Sequence, residues 1–140
     1  MANTYTQIHI HFVFAVKFRK AVIGNDWKAE LYKYITGIIK NNNHKLLAIN
    51  GVSDHVHILI GIRPAQSISD LMKNIKQDSS KWINASKFSK SHFEWQEGYG
   101  AFSYSKSQLN AVVTYIQKQE YITKRKLLRR NTLIFFKNLK

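Results

Sequence analysis

The sequence predicts an α+β fold, a ferredoxin-like β-α-β-β-α-β antiparallel sheet with one additional C-terminal helix. Three observations predict it. Several short runs alternate or concentrate apolar side chains as strands do. Other segments repeat apolar residues at helical spacing. The two kinds of segment then succeed one another in the order of this pattern. In such a sheet the first and third strands lie side by side in the centre, and two helices cover one face.

The run "YTQIHIHFVFAVK" is the first strand. Ile8, Ile10, Phe12, Phe14 and Val16 fall on one face, and Gln7, His9, His11, Val13 and Ala15 on the other. In "NDWKAELYKYITGIIKNNN" the residues Leu31, Tyr34, Ile35 and Ile38 recur at helical spacing, Asn25 is the expected N-cap, and the asparagine run ends the helix. "HKLLAING" and "SDHVHILIGI" read as two strands with a turn expected near Asn50-Gly51. Ser67 and Asp70 form a capping pattern ahead of a second helix whose inward face is Ile68, Leu71, Met72 and Ile75. A loop rich in Ser, Lys and aromatics leads to the short strand "AFSYS". The final helix carries Leu109, Val112, Val113 and Ile116 as its apolar stripe.

With 140 residues the chain is long enough for one domain with a real core. One proline, six glycines and the absence of any long apolar run predict a folded chain without a transmembrane helix. The start "MANTYTQ" has neither the charged nor the apolar region of a signal peptide. Zero cysteines excludes disulfides and thiolate metal sites and fits a cytoplasmic protein. Charge says more: 22 Lys and Arg stand against 8 acids, a formal net charge of +14. Such an excess favours a polyanionic partner, because each neutralised phosphate releases counterions. Seven of the basic residues lie within 121–140, a stretch without an acid, so about half the excess belongs to this tail.

Two features carry potential chemistry. His55 and His57 lie one residue apart on a strand, so both imidazoles point to the same face. Such a pair is either a polar patch or half of a metal site that a third ligand would complete. His9-Ile10-His11 repeats the pattern and shows how common it is. Tyr115 and Gln119 stand four apart on the last helix, and so share a face beside the apolar stripe.

Four motifs, "SDHVHILIGIRP", "LMKNIKQDSS", "FEWQEGYGAFSYS" and "VVTYIQKQE", occur in an order and spacing that resemble the one-tyrosine HUH transposases of the insertion-sequence 200/605 type. REP-associated tyrosine transposases share this core. The resemblance runs from about Tyr5 to Glu120. It implies a catalytic domain, set at 1–123, and the basic residues that follow make 124–140 a basic tail. It implies that His55 and His57 are metal ligands, with Val56 as the bulky residue between them, that Gln119 is the third ligand, and that Tyr115 is the nucleophile. His9 and His11 match no catalytic position of the family.

The resemblance further implies Mg²⁺, with Mn²⁺ able to substitute. It also implies a homodimer in which the tyrosine helix can complete the partner's site. The substrate would be single-stranded DNA, cut near a hairpin at the ends of a mobile element. Lys17, Arg19 and Lys20 after the first strand, and Lys73, Lys76 and Lys81 on the second helix, are candidate phosphate contacts. Trp95, Tyr99, Phe102 and Tyr104 are candidate stacking residues. After Glu120 the chain departs from the family, having neither acid nor histidine. Two competing readings stay open: a non-catalytic ferredoxin-like nucleic-acid-binding protein, and a nuclease in which water attacks and Tyr115 only packs.

Overall fold

The computed structural model describes residues 8–119; the tail from 124 onward, and the end of the expected catalytic domain, lie outside the described residues. Its elements are β1 (Ile8–Ala15), α1 (Lys28–Asn41), β2 (Lys45–Val52), β3 (His55–Ile62), α2 (Ile68–Ser86), β4 (Gly100–Tyr104) and α3 (Leu109–Gln117). The sheet is antiparallel with order β2-β3-β1-β4, so β3 and β1 are central as expected.

Strand alternation divides the molecule in two. Ile10, Phe12 and Phe14 of β1 and Val56, Ile58 and Ile60 of β3 point to one side. There they meet Leu31, Ile35 and Ile39 of α1 and Leu71, Met72, Ile75 and Ile83 of α2. This side is the main core, and each such side chain contributes roughly 1.5–3 kcal/mol by burial. The opposite side carries His9, His11, His55 and His57 together with Leu59. Among the described residues it is covered by the short α3, through Val112 and Ile116 packed on Leu59 and Ala48.

Two expectations shift. The first helix begins at Lys28, behind a Trp27 N-cap that makes no side-chain capping bond, and not at Asn25. A turn through Gly24 sets the start, with Trp27 and Lys28 N–H both donating to the Gly24 carbonyl. Trp27 is buried and stacks on Phe88 at 5.3 Å, so burial of the indole outweighs local capping preference. The hairpin turn lies at Ser53-Asp54, and Asn50 and Gly51 remain in β2, opposite His57 and Val56. Ser67 does cap α2, accepting from the Asp70 N–H at 3.1 Å. No described helix is long and apolar enough to cross a membrane.

Gly51 stays in the strand because there is no room for a side chain. A Cβ there would overlap the His55 carbonyl oxygen and sit 2.9 Å from Val56 Cα. Both obstacles are backbone, which cannot swing aside. Gly51→Ala is therefore expected to cost about 1–3 kcal/mol and to shift the urea midpoint accordingly. An unchanged midpoint would show that the hairpin can open without penalty.

Candidate active site on the histidine face

β1 and β3 pair so that Val13 lies opposite His57 and Ala15 opposite His55. Both histidines of the pair are buried. Their rings are 5.0 Å apart and edge-on. His55 Nδ1–H donates to Asp54 Oδ1 at 2.7 Å, which leaves its Nε2 as the lone-pair nitrogen.

His57 is oriented by a residue that the sequence reading left without a role. His11 Nε2 and His57 Nδ1 are 2.8 Å apart, and the rings stack at 5.0 Å. Either ring can donate this bond; in the tautomer with His57 Nδ1–H as donor, His57 Nε2 carries a buried lone pair, and neither His57 Nε2 nor His11 Nδ1 has a hydrogen-bond partner. Burial pushes the His57 pKa well below 6.5, with the neighbouring His55 and His11 acting in the same direction. Both rings of the His11–His57 pair are thus held neutral, the form that can ligate a metal. The signal for His11 was present in the sequence: it lies on the same strand face as His9, in a strand expected to run beside that of His57.

Tyr115 overlooks this face from α3. Its ring is 5.8 Å from His57 and 6.3 Å from His11, both edge-on. A cleft of about 610 Å³ opens beside it, lined by His11, His57, Phe102, Tyr104, Val112 and Tyr115 among others. Burial raises the Tyr115 pKa above 10, the Gln119 side chain partly offsets this, and Tyr104 adds to it. The phenol is therefore protonated at neutral pH.

Gln119 follows four residues later, beyond the end of α3 at Gln117 rather than within that helix as expected, and is fully buried. Its Nε2 donates to the Tyr115 carbonyl at 3.2 Å, and its Oε1 has no partner. Leaving a polar atom buried and unpaired costs on the order of 1–3 kcal/mol, so His57 Nε2 and Gln119 Oε1 call for a ligand. Two imidazole nitrogens and an amide oxygen are donors that suit a divalent cation. Among the described residues no group of three His, Cys, Asp or Glu forms a metal site, so on this face the third donor would be the amide.

Asn50 supplies a second unanticipated role. Its amide donates to the Ile116 and Gln117 carbonyls at 3.0 and 2.9 Å. These bonds tie the C-terminal end of α3 to the sheet and fix where Tyr115 stands. An Asn-Gly pair inside a strand, which reads locally as a turn, here serves a tertiary purpose.

The remaining candidates scatter. Lys17, Lys20, Lys73 and Lys81 are exposed, and Arg19 is half-buried. Lys17 pairs with Glu94 at 3.3 Å. Lys76 is a loop staple, its ammonium donating to the Gln96 and Gly98 carbonyls at 2.6 and 2.8 Å. Tyr99 packs edge-on against Phe12, and Trp95 is a core residue bonded to Ser79. Of the four aromatics, Phe102 and Tyr104 reach the cleft.

Comparison with known proteins points one way. A family model described as "Transposase IS200 like" matches residues 4–119. The ISDra2 transposase of Deinococcus radiodurans is 28% identical over 75 residues, 54% of each chain. The transposase for insertion sequence element IS200 of Salmonella typhimurium is 28% identical over 80 residues, 57% of this chain and 53% of that one. The chain thus aligns with about half the length of the curated relatives it matches. Two solved structures share the fold. A candidate transposase of D. radiodurans R1 superposes with a TM-score of 0.68 at 24% identity, covering 85% of this chain and 96% of its own. A REP-associated tyrosine transposase bound to a REP hairpin superposes with a TM-score of 0.62 at 14% identity, covering 84% and 70%.

The buried histidines make stability depend on pH. Burial lowers the His11 pKa from 6.5 to about 4. Between those values the unfolded chain binds a proton that the folded chain refuses, so stability falls as pH falls through that window. The His11 share is on the order of 3 kcal/mol, and His57 acts in the same direction. Urea midpoints in chelator should drop between pH 7 and pH 4.5, with a shallower drop in His11→Phe. Equal slopes in the two proteins would contradict a neutral, buried His11.

Proposed function

The chain belongs to the IS200-like transposase family, and from that premise we propose that it cuts and rejoins single-stranded DNA at mobile-element ends through a 5′-phosphotyrosine intermediate on Tyr115. The observation that carries this reading is the meeting of Tyr115 with His57 across one cleft. A nuclease using water has no need of a phenol there, and a mere binder has no need of a buried His57 whose Nε2 has no partner.

In this reading His55, His57 and Gln119 hold a divalent cation, Mg²⁺ or in its place Mn²⁺. When bound, such an ion polarises the scissile phosphate and offsets the charge gained in the transition state. The protein's own part is positional. Asp54 and His11 fix the two imidazole orientations, as partners behind metal ligands do. Asn50 holds the end of α3 so that the phenol faces the same cleft.

The Tyr115 hydroxyl attacks the phosphorus and loses its proton, and the bond from phosphorus to the 3′-oxygen breaks. That oxygen takes up a proton and departs as a 3′-hydroxyl, while the 5′-phosphate stays on tyrosine. A different 3′-hydroxyl then attacks the phosphotyrosine and restores the phenol. One phosphodiester is exchanged for another, so no ATP and no water nucleophile enters.

The proposed partners are single-stranded DNA with a nearby hairpin and a second copy of the chain. A structural neighbour bound to a REP hairpin supports the first, as does the +14 charge. Exposed Lys17, Lys20, Lys73 and Lys81, with Arg19, are the proposed phosphate contacts. Lys76, held by two carbonyls, is left mainly a structural task.

Labelled single-stranded DNA carrying element ends, incubated with Mn²⁺ and run on a denaturing gel, tests the reading. Wild-type protein should yield a covalent protein–DNA band. Tyr115→Phe should abolish that band and leave DNA binding intact, and His57→Ala should lower cleavage at least 100-fold. Free cleavage products without adduct would favour the nuclease, and an adduct persisting in Tyr115→Phe would reject Tyr115.

A further inference from the structure

After β1 the chain makes a single 3₁₀ turn over Lys17–Arg19. Phe18 sits there at φ 58° and ψ 18°, and Arg19 follows at φ 54°. Two consecutive non-glycine residues in the left-handed region are unusual, and for a bulky aromatic the conformation is a genuine outlier. It persists only where the surroundings impose it. They do so here. Lys17 N–H donates to the Glu94 carbonyl at 3.0 Å, Arg19 N–H to Val16 at 2.8 Å, and Val16 N–H to Asp54 at 2.8 Å.

The cost is not offset by burial of the ring. Phe18 is 76% exposed, the most exposed large apolar side chain among the described residues. Three cationic residues surround it in sequence, and the Lys17 ammonium lies 5.5 Å from the ring centre. The knuckle also adjoins the site. Its anchor Asp54 is the residue that bonds His55, and Ala15, three residues before Phe18, pairs with His55.

We propose that Phe18 is a stacking platform for an unpaired nucleobase of the DNA strand, with Lys17, Arg19 and Lys20 on the flanking phosphates. An exposed aromatic on a constrained backbone, with one ammonium over its ring and two more cations next in sequence, matches a polyanion that carries flat π surfaces. Only a single strand offers such a face, because duplex bases are already stacked. This rests on the DNA-cutting reading for the identity of the strand, and it extends that reading to how the strand approaches the metal-ligand end of the sheet.

The test uses a Tyr115→Phe background, in which binding is separated from covalent capture. Fluorescence anisotropy with labelled oligothymidylate, and with a duplex of mixed sequence, gives affinities at several salt concentrations. Phe18→Gly should weaken single-strand binding about tenfold, change duplex binding less than twofold, and leave the salt dependence unaltered. Its melting temperature should hold or rise, since glycine adopts positive φ freely. Phe18→Trp should bind within twofold of the parent. Replacing Lys17 and Lys20 by alanine should instead flatten the salt dependence.

Single-strand affinity retained in Phe18→Gly overturns the inference. So does an equal loss on duplex, or a loss accompanied by a lower melting temperature, which would make the ring part of the fold. Failure of Phe18→Gly to weaken binding while wild-type protein still forms adducts rejects the platform alone. A functioning platform without adduct rejects the cutting reaction alone.

Discussion

The structure depends on the pairing of β1 with β3 in one register. Because side chains alternate with a period of two, this register sends Phe12, Phe14, Val56, Ile58 and Ile60 under α1 and α2 and sends His11, His55 and His57 to the other side. A slip of one residue in either strand would push an imidazole into the apolar layer and an isoleucine onto the histidine face. The apolar core therefore does more than stabilise. It is the device that brings three histidines from two distant segments to one place.

The two faces are held by different physics. The helix-covered side relies on closely packed aliphatic and aromatic groups. The histidine side has a small apolar patch beneath a nine-residue helix, supplemented by polar bonds. Asp54 fixes His55, His11 fixes His57, and Asn50 fixes the end of α3. Each bond adds about 0.5–1.5 kcal/mol net, yet together they set the orientation of every group in the site. His11 Nδ1, His57 Nε2 and Gln119 Oε1 are among the buried atoms left unpaired, and they lie at the place where chemistry is proposed. Local discord of this kind is expected at functional sites.

Much of this was legible in the sequence, for identifiable reasons. Strand order, the two-sided pattern of β1, the Ser67 cap and the apolar stripe of α3 follow from periodicity and local chemistry, which a single sequence displays. The roles expected of His55, His57, Tyr115 and Gln119 came from the resemblance that four motifs carry, and the fold sets Tyr115 beside His57. What was missed depends on contacts between distant segments. His11 gains its role from a partner 46 positions away, and Asn50 from a helix end 66 positions away. Trp27 displaced the expected cap through packing on Phe88. Lys76 looks like a surface cation until its two carbonyl partners are seen. Phe18 looks like one more aromatic until its backbone angles are known.

The claim that the histidine face gathers a cation beneath Tyr115 is tested most directly by titrating Mn²⁺ into metal-free protein while following side-chain NMR signals. The ion broadens nuclei close to it. His44 is an internal control, since both its ring nitrogens are engaged by Gln66 and the Arg63 N–H. The account requires that substoichiometric Mn²⁺ erase the ring signals of His55 and His57 and the side-chain amide of Gln119 first, with Tyr115 close behind and His44 sharp. Broadening that begins at His44, or that spreads evenly over surface acids while His57 and Gln119 remain sharp, would contradict it.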